Sequence, residues 1–288
     1  MPQDYAKANY WYEKAAAHGY ARAENKLGDA YGLGLGVPQD YAKAKYWYEK
    51  AAAQGFAKAE FSLGAFYAKG QGVPQDYAKA DYWYEKAAAQ GYVLAENNLG
   101  LAYGLGQGVP QDYAKADYWL EKSSAQGFAK AEYNLGLAYV LGQGLPQDYA
   151  KADYWLQKSA AQGYARAEYN LGVLYTNGQG VPQDYAKANY WLEKAAARGY
   201  AKAEYNLSVL YTNGQGVPQD YAKANYWLEK AAAQGYAMAE VNLGDAYYQG
   251  QGVPQNTMTA IMWWKKAAAQ GGRAGRDAQN NISVVERG

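Results

Sequence analysis

Apolar residues in the stretch 182–217 recur every three or four positions. They run first through Tyr185, Ala188, Trp191 or Leu192 and Ala195, then through Ala203, Leu207 and Tyr211. That period marks one face of a helix, and a glycine, Gly199, separates the two runs. The pattern predicts two helices, each about 13 residues and so about 20 Å long. Asp184 is placed to cap the first, because its carboxylate accepts an orphan backbone N–H. Lys194 suits that helix's C-terminal end, and Glu204 suits the first turn of the second. Gly199 stops the first helix as a C′ glycine does. Gly214 and Gly216 end the second, and Pro218 blocks any continuation.

The same two-helix pattern returns along the whole chain. Pro2, Pro38, Pro74, Pro110, Pro146, Pro182, Pro218 and Pro254 stand 36 residues apart and are all the prolines present. Trp11, Trp47, Trp83, Trp119, Trp155, Trp191, Trp227 and Trp263 keep the same period. A fixed period of this size indicates units that stack on their neighbours, not a globule around one buried pocket. The array is expected over residues 1–271, about seven and a half units that start mid-repeat. Residues 272–288 are expected to form a degenerate C-terminal capping helix. The segment 278–287 aligns with 203–212, with Asn280 and Glu286 where tyrosines stand in the copy. Polar substitution is what an end helix needs for solubility. The first helix has no matching cap, which points either to truncation or to end-to-end self-association through it. Each periodic tryptophan sits mid-helix beside alanines. Core packing is therefore expected of it, in preference to a carbohydrate platform.

Composition narrows the function. The 288 residues carry 28 basic and 27 acidic side chains, a formal charge of +1, which leaves no basic footprint for nucleic acid. There is no cysteine, so the redox compartment is not readable. No run of apolar residues is long enough for membrane insertion. The sequence opens inside a repeat with no basic-then-apolar leader. It is read as soluble, either cytoplasmic or, with an upstream leader removed, periplasmic or secreted.

Chemistry-bearing residues are few. The lone histidine, His18, holds an inter-helix turn position that is Gln54 or Gln90 elsewhere. With one histidine and no cysteine, ordinary zinc sites are excluded. Asp40, Glu49 and Glu60 recur in most units and are read as capping and surface charges, as are Lys43 and Lys50. The glycine-rich 32–37 segment follows a helix and leads into a proline, whereas a dinucleotide-binding loop follows a strand and opens a helix. No cofactor, metal or catalytic residue is expected.

The pattern AExNLGxxYxxGxGVPQDYAKAxYWxEKAAAxG resembles Sel1-like repeats, relatives of the tetratricopeptide repeats, over essentially the whole chain. The resemblance implies an all-α fold: a right-handed α/α superhelical solenoid of 36-residue helix-turn-helix units, with the second helix of each lining a concave side. It also implies roles as bacterial adaptors, envelope factors or host-interaction proteins. The chain departs from the cysteine-rich subgroup, so activities tied to that subgroup are not carried over. Ser208 replaces the usual glycine, and 256–259 replaces the DYAK segment.

The copies differ most along one stripe of the second helix. Offsets of three, four and three residues put its positions on one face. In the middle units it reads Lys130, Tyr133 and Leu137; then Arg166, Tyr169, Val173 and Thr176; then Lys202, Tyr205, Val209 and Thr212. By resemblance this stripe faces the groove. Tyrosine beside arginine is a common composition for interface hot spots. Asn134, Asn170 and Asn206 form a ladder near the same face. They either hydrogen-bond an extended partner or satisfy buried backbone groups between repeats. The expected function is a non-enzymatic scaffold that binds a protein or peptide, with the basic residues favouring an acidic segment. The alternatives are a carbohydrate or cell-wall glycan module, or a consensus-like array without a natural partner.

Overall fold

The computed structural model describes residues 4–143 and 145–287. The opening 1–3, Gly144 and the last residue of the expected cap, Gly288, lie outside them. The described residues are helical and contain no strand. In chain order the pairs are α1 (Tyr5–Ala17) and α2 (Ala21–Leu33), α3 (Tyr41–Ala53) and α4 (Ala57–Lys69), α5 (Tyr77–Ala89) and α6 (Val93–Leu105), then α7 (Tyr113–Ala125) and α8 (Ala129–Leu141). They continue with α9 (Tyr149–Ala161) and α10 (Ala165–Asn177), α11 (Tyr185–Ala197) and α12 (Ala201–Asn213), α13 (Tyr221–Ala233) and α14 (Ala237–Gln249), and end with α15 (Thr257–Gln270) and α16 (Gly272–Arg287). The chain divides into two compact units, 1–147 and 148–288.

Local chemistry sets the boundaries. Asp184 Oδ1 accepts the Lys187 N–H at 3.0 Å, and Asp40, Asp76, Asp112 and Asp220 repeat the cap at the same distance. The second helices have no side-chain cap; they begin on an extended tyrosine or phenylalanine. Gly214, at φ 65°, ends α12 in the left-handed region, where a side chain would be strained. The loop that follows is fastened twice. The Asp220 N–H donates to the Tyr211 carbonyl at 2.9 Å, and Gln219 Nε2 donates to the Thr212 carbonyl at 2.7 Å. The recurring PQD segment is thus a device for returning the chain.

Within each compact unit, every helix packs on its neighbours in sequence. The core is built from alanines of the first helix and an alanine–leucine pair of the second. In the first unit Ala44, Ala51, Ala59 and Leu63 have no exposed surface. In the second unit the same holds for Ala195, Ala203 and Leu207. The glycine after each such leucine permits close approach. A Cβ on Gly172 would lie 2.6 Å from Leu192 Cγ. At the matching position Ser208 is buried and its hydroxyl donates to the Tyr205 carbonyl at 2.6 Å, which disposes of the extra polar group. In the second unit α16 packs against both α14 and α15, through Ala274, Ala278 and Ile282.

The tryptophans correct the sequence-based expectation. They are not core residues. Trp47, Trp83, Trp119, Trp155, Trp191, Trp227 and Trp263 are half-buried, and Trp11 is 62% exposed. The next residue takes the core position instead: Tyr48, Tyr84, Leu120, Leu156, Leu192, Leu228 and Trp264 are all buried. The helical period explains this. Ala44, Tyr48, Ala51 and Ala52 lie at i, i+4, i+7 and i+8, the buried stripe, and position 47 falls on its edge. From there Trp47 covers the Ala16–Ala23–Leu27 cluster of the preceding pair, and Trp227 covers the Leu207 cluster. The tryptophans seal one repeat against the next.

Candidate interaction surface

The second helices carry the stripe. In the first unit α8 presents Lys130 exposed, with Tyr133, Asn134 and Leu137 half-buried. In the second unit α10 presents Arg166 exposed, with Tyr169, Asn170, Val173 and Thr176 half-buried. There α12 repeats the arrangement with Lys202, Tyr205, Asn206, Val209 and Thr212. The opposite positions on these helices, the alanine, glutamate and leucine, are buried. Each stripe is therefore a partly open strip with a cation at one end, an aromatic ring next to it and aliphatic surface beyond.

The tyrosines are only partly free. Tyr169 lies 5.2 Å from the Tyr200 ring and Tyr205 lies 5.3 Å from Tyr236, both in tilted packing. Each thus also props the inter-helix turn of the following repeat. The asparagines behave differently from one another. Asn134 Nδ2 donates to Asn97 Oδ1 of the preceding repeat at 3.0 Å. Asn170 and Asn206 have no protein hydrogen-bond partner among the described residues, so their amides remain available. The Thr176 hydroxyl donates to the Gly172 carbonyl at 2.8 Å and is occupied within its own helix. In the first unit Asn134 and Leu137 border a cavity of about 170 Å³, with Leu101, Leu141, Tyr113 and Asp117 around it.

Beneath the stripes runs a feature that the sequence reading assigned wrongly. Glu60 is not a surface charge. It is 4% exposed, and Gln90 Nε2 of the next first helix donates to it at 2.7 Å. Glu96 with Gln126, and Glu204 with Gln234, repeat the clamp at 2.7 Å. Burial holds the carboxyls of Glu60, Glu96 and Glu204 above the usual carboxylate range, against the opposing pull of those amides. At Glu168 the clamp is Arg198, whose Nε donates at 3.1 Å. The constant spacing of 30 residues between each glutamate and the next turn's glutamine was the available signal.

A second surface, on the first helices, was also missed. Tyr46 is 51% exposed, lies edge-on to Trp47 at 5.1 Å, and shares Lys50 with it, the ammonium 5.4 Å from each ring. Tyr118, Trp119 and Lys122, and Tyr226, Trp227 and Lys230, repeat the triad. The lysines named as a solvated face do stay exposed, but their stems and charges cover aromatic rings.

His18 is an exposed turn residue, as expected from its position. The described residues contain no cluster of His, Asp or Glu suited to a metal, and no helix long and apolar enough to cross a membrane.

Comparison with known proteins places this geometry. A family model described as Sel1 repeat matches residues 1–20, 21–56, 57–92, 93–128, 129–164, 165–200, 201–236 and 237–272. Among solved structures, a protective antigen present in uropathogenic Escherichia coli strains, displaying an SLR fold, is 35% identical with a TM-score of 0.85. It covers 91% of this chain, which spans 56% of the antigen's length. A Sel1 repeat protein from Oxalobacter formigenes is 36% identical with a TM-score of 0.78, covering 95% of this chain and 80% of its own. A search of the curated proteins finds no match.

Proposed function

The chain belongs to the Sel1 repeat family, all-helical solenoids that are generally protein-interaction scaffolds and typically non-catalytic, and we infer that it holds a protein or peptide along the open faces of its second helices. The carrying observation is that the copies vary on this face and hardly at all beneath it. Packing positions such as Ala131, Ala167 and Ala203 are the same residue and wholly buried. The stripe beside them changes residue from copy to copy, and in α8, α10 and α12 it stays partly open to solvent. Packing alone has no reason to diversify that face. Tyr133, Tyr169 and Tyr205 supply rigid aromatic area, and the free amides of Asn170 and Asn206 offer donors and acceptors to a partner backbone. Lys130, Arg166 and Lys202 steer an acidic segment, an attraction that weakens as salt rises.

A glycan reading has less support on this face. Stacking on a sugar needs an open ring, and Tyr169 and Tyr205 are each packed on the next turn's tyrosine. Self-association through the first helix is tested by sedimentation over a range of concentrations, with Trp11→Lys as control.

The main test is capture from bacterial lysate and envelope fractions. It compares the chain with a variant carrying Tyr133→Ala, Tyr169→Ala and Tyr205→Ala, both checked for helicity. A protein retained by the first, lost by the second and released by salt is the expected outcome. Equal retention by both would move the site to the first-helix triads, the loops or the ends.

A further inference from the structure

One first-helix position reads Asn9, Lys45, Asp81, Asp117, Asp153, Asn189, Asn225 and Ile261 along the chain, and at Asn9 and Asn225 its side chain lies against the loop that ends the following helix. Asn9 Nδ2 donates to the Leu35 carbonyl at 2.7 Å, and Asn225 Nδ2 donates to the Gln251 carbonyl at 2.7 Å. In each case the acceptor lies 26 residues on, so the amide ties the first helix of a repeat to the loop leaving its second helix. Asn189 turns its amide to Glu193 instead, and its buried Oδ1 is left without a partner.

At the equivalent positions Asp81 and Asp117 carry a carboxyl, which as an anion has no proton to offer. Both are buried, 4% and 5% exposed, and the Oδ2 of each is enclosed with no hydrogen-bond partner. The loop carbonyls in matching register are those of Gln107 and Gln143. Asp81 and Gln107 line one cavity of about 180 Å³, and Asp117 and Gln143 line the next. Asp81 Oδ2 sits directly under the loop. A Cβ on Gly108, which holds φ +78°, would collide with that oxygen and with the Tyr77 carbonyl.

We propose that Asp81 is a protonation-dependent latch: as the neutral acid it donates to the Gln107 carbonyl and fastens the 106–112 loop to α5, and as the carboxylate it releases that loop. Asp117 repeats the device against Gln143. The proton comes from solvent and returns to it, and no other bond changes.

The surroundings favour the neutral acid. Burial, reinforced by Glu85 one turn along α5, pushes the Asp81 carboxyl up to about 7. Burial and Glu121 push Asp117 up to about 6. From α6, Tyr103 faces Asp81, and its hydroxyl donates to Glu85 at 3.3 Å. Lys115 of α7 lies over the Tyr103 ring at 5.1 Å, not on the carboxyl. From α4, Tyr67 is occupied by Lys79 of α5, which also pairs with Asp76. Tyr84 shares the helix and is itself buried. Around Asp117, Tyr113 shares the helix and lines the same cavity, to which α8 contributes Asn134, Leu137 and Ala138. Asp153 supplies the internal control. There burial again pushes the carboxyl up, but the residue one turn along is Gln157, not glutamate, and its Nε2 donates to Asp153 Oδ2 at 2.6 Å and opposes that rise.

The direction of the pH effect follows from linkage. A carboxyl raised in the folded state favours folding below its unfolded value, and this advantage is lost as pH rises through the folded value. The window therefore runs from about pH 4 to about 7 for Asp81.

The test uses the full chain and its Asp81→Asn variant, in which the amide makes the bond at every pH. Hydrogen exchange of the 106–112 amides is followed at pH 5 and pH 8, corrected for intrinsic rates. Wild-type protection is expected to fall by at least tenfold relative to Asp81→Asn on going from pH 5 to pH 8. A wild-type-to-variant ratio unchanged between the two pH values would overturn the latch. Should the variant fail to fold, carbon-13 titration of the wild-type Asp81 carboxyl decides. A midpoint near 7 supports the latch and an ordinary carboxylate midpoint overturns it.

Discussion

At the scale of single residues, the stack depends on groups whose roles are opposite to their usual ones. Gly172 lets Leu192 pack close, because a methyl group there would lie 2.6 Å from Leu192 Cγ. Gly172→Ala is expected to destabilise by about 1–3 kcal/mol through overpacking, read as a fall in the urea midpoint. Glu96 is a buried acid held by one amide from the next repeat. Removing the donor with Gln126→Ala leaves a desolvated carboxylate, at a cost of about 1–3 kcal/mol at neutral pH. Because burial raises the Glu96 carboxyl, the folded chain takes up its proton first as pH falls. Stability associated with the neutral form is thus present at low pH and lost as pH rises through the folded value. Urea midpoints of wild type and Gln126→Ala are therefore expected to converge toward pH 4 and diverge toward pH 7.

At the scale of the helix, the tryptophan and its two neighbours grade the outer surface of each first helix. Tyr118 is exposed, Trp119 is half-buried and Leu120 is buried. Trp264, 2% exposed, shows what a fully buried indole is like in this fold. Trp264→Ala is expected to cost about 3–5 kcal/mol, Trp119→Ala roughly half of that, and Tyr118→Ala under about 0.5 kcal/mol. Thermal unfolding of the three variants gives the order directly. The helices, their caps and their turns were legible in the sequence because aspartate caps, glycine stops and apolar periods are local signals. The burial of individual positions was less legible. Trp191 and Leu192 both fit a period of three or four, and only the counting of Ala188, Leu192, Ala195 and Ala196 as one stripe separates them. Glu60 was misread because its partner lies 30 residues away, beyond any local pattern. The variable stripe could be located by comparing the copies, but the packing of Tyr169 on Tyr200 and the unpaired state of Asn170 depend on how adjacent repeats meet.

At the scale of the molecule, the unit of stability is the interface between successive helices. Stacked repeats draw their stability from each unit and its nearest neighbours. Excising one full period should then remove one unit's contribution and leave the rest. Deleting residues 201–236 joins Tyr200 to Ala237, so α14 takes the place of α12 against α11. The new contact is conservative: Ala239 and Leu243 replace Ala203 and Leu207, all without exposed surface. The Arg198–Glu168 pair on one side and the Gln270–Glu240 pair on the other are untouched. Deleting half a period, 201–218, instead sets α11 directly before α13 and brings together two helices that each need an alanine–leucine–glycine face. Circular dichroism is expected to show unchanged helicity per residue and a cooperative melt for the full-period deletion, and loss of both for the half-period deletion. A half-period deletion that melts as sharply as the wild type would mean that the repeats are held by something other than the alternation of two unlike helices.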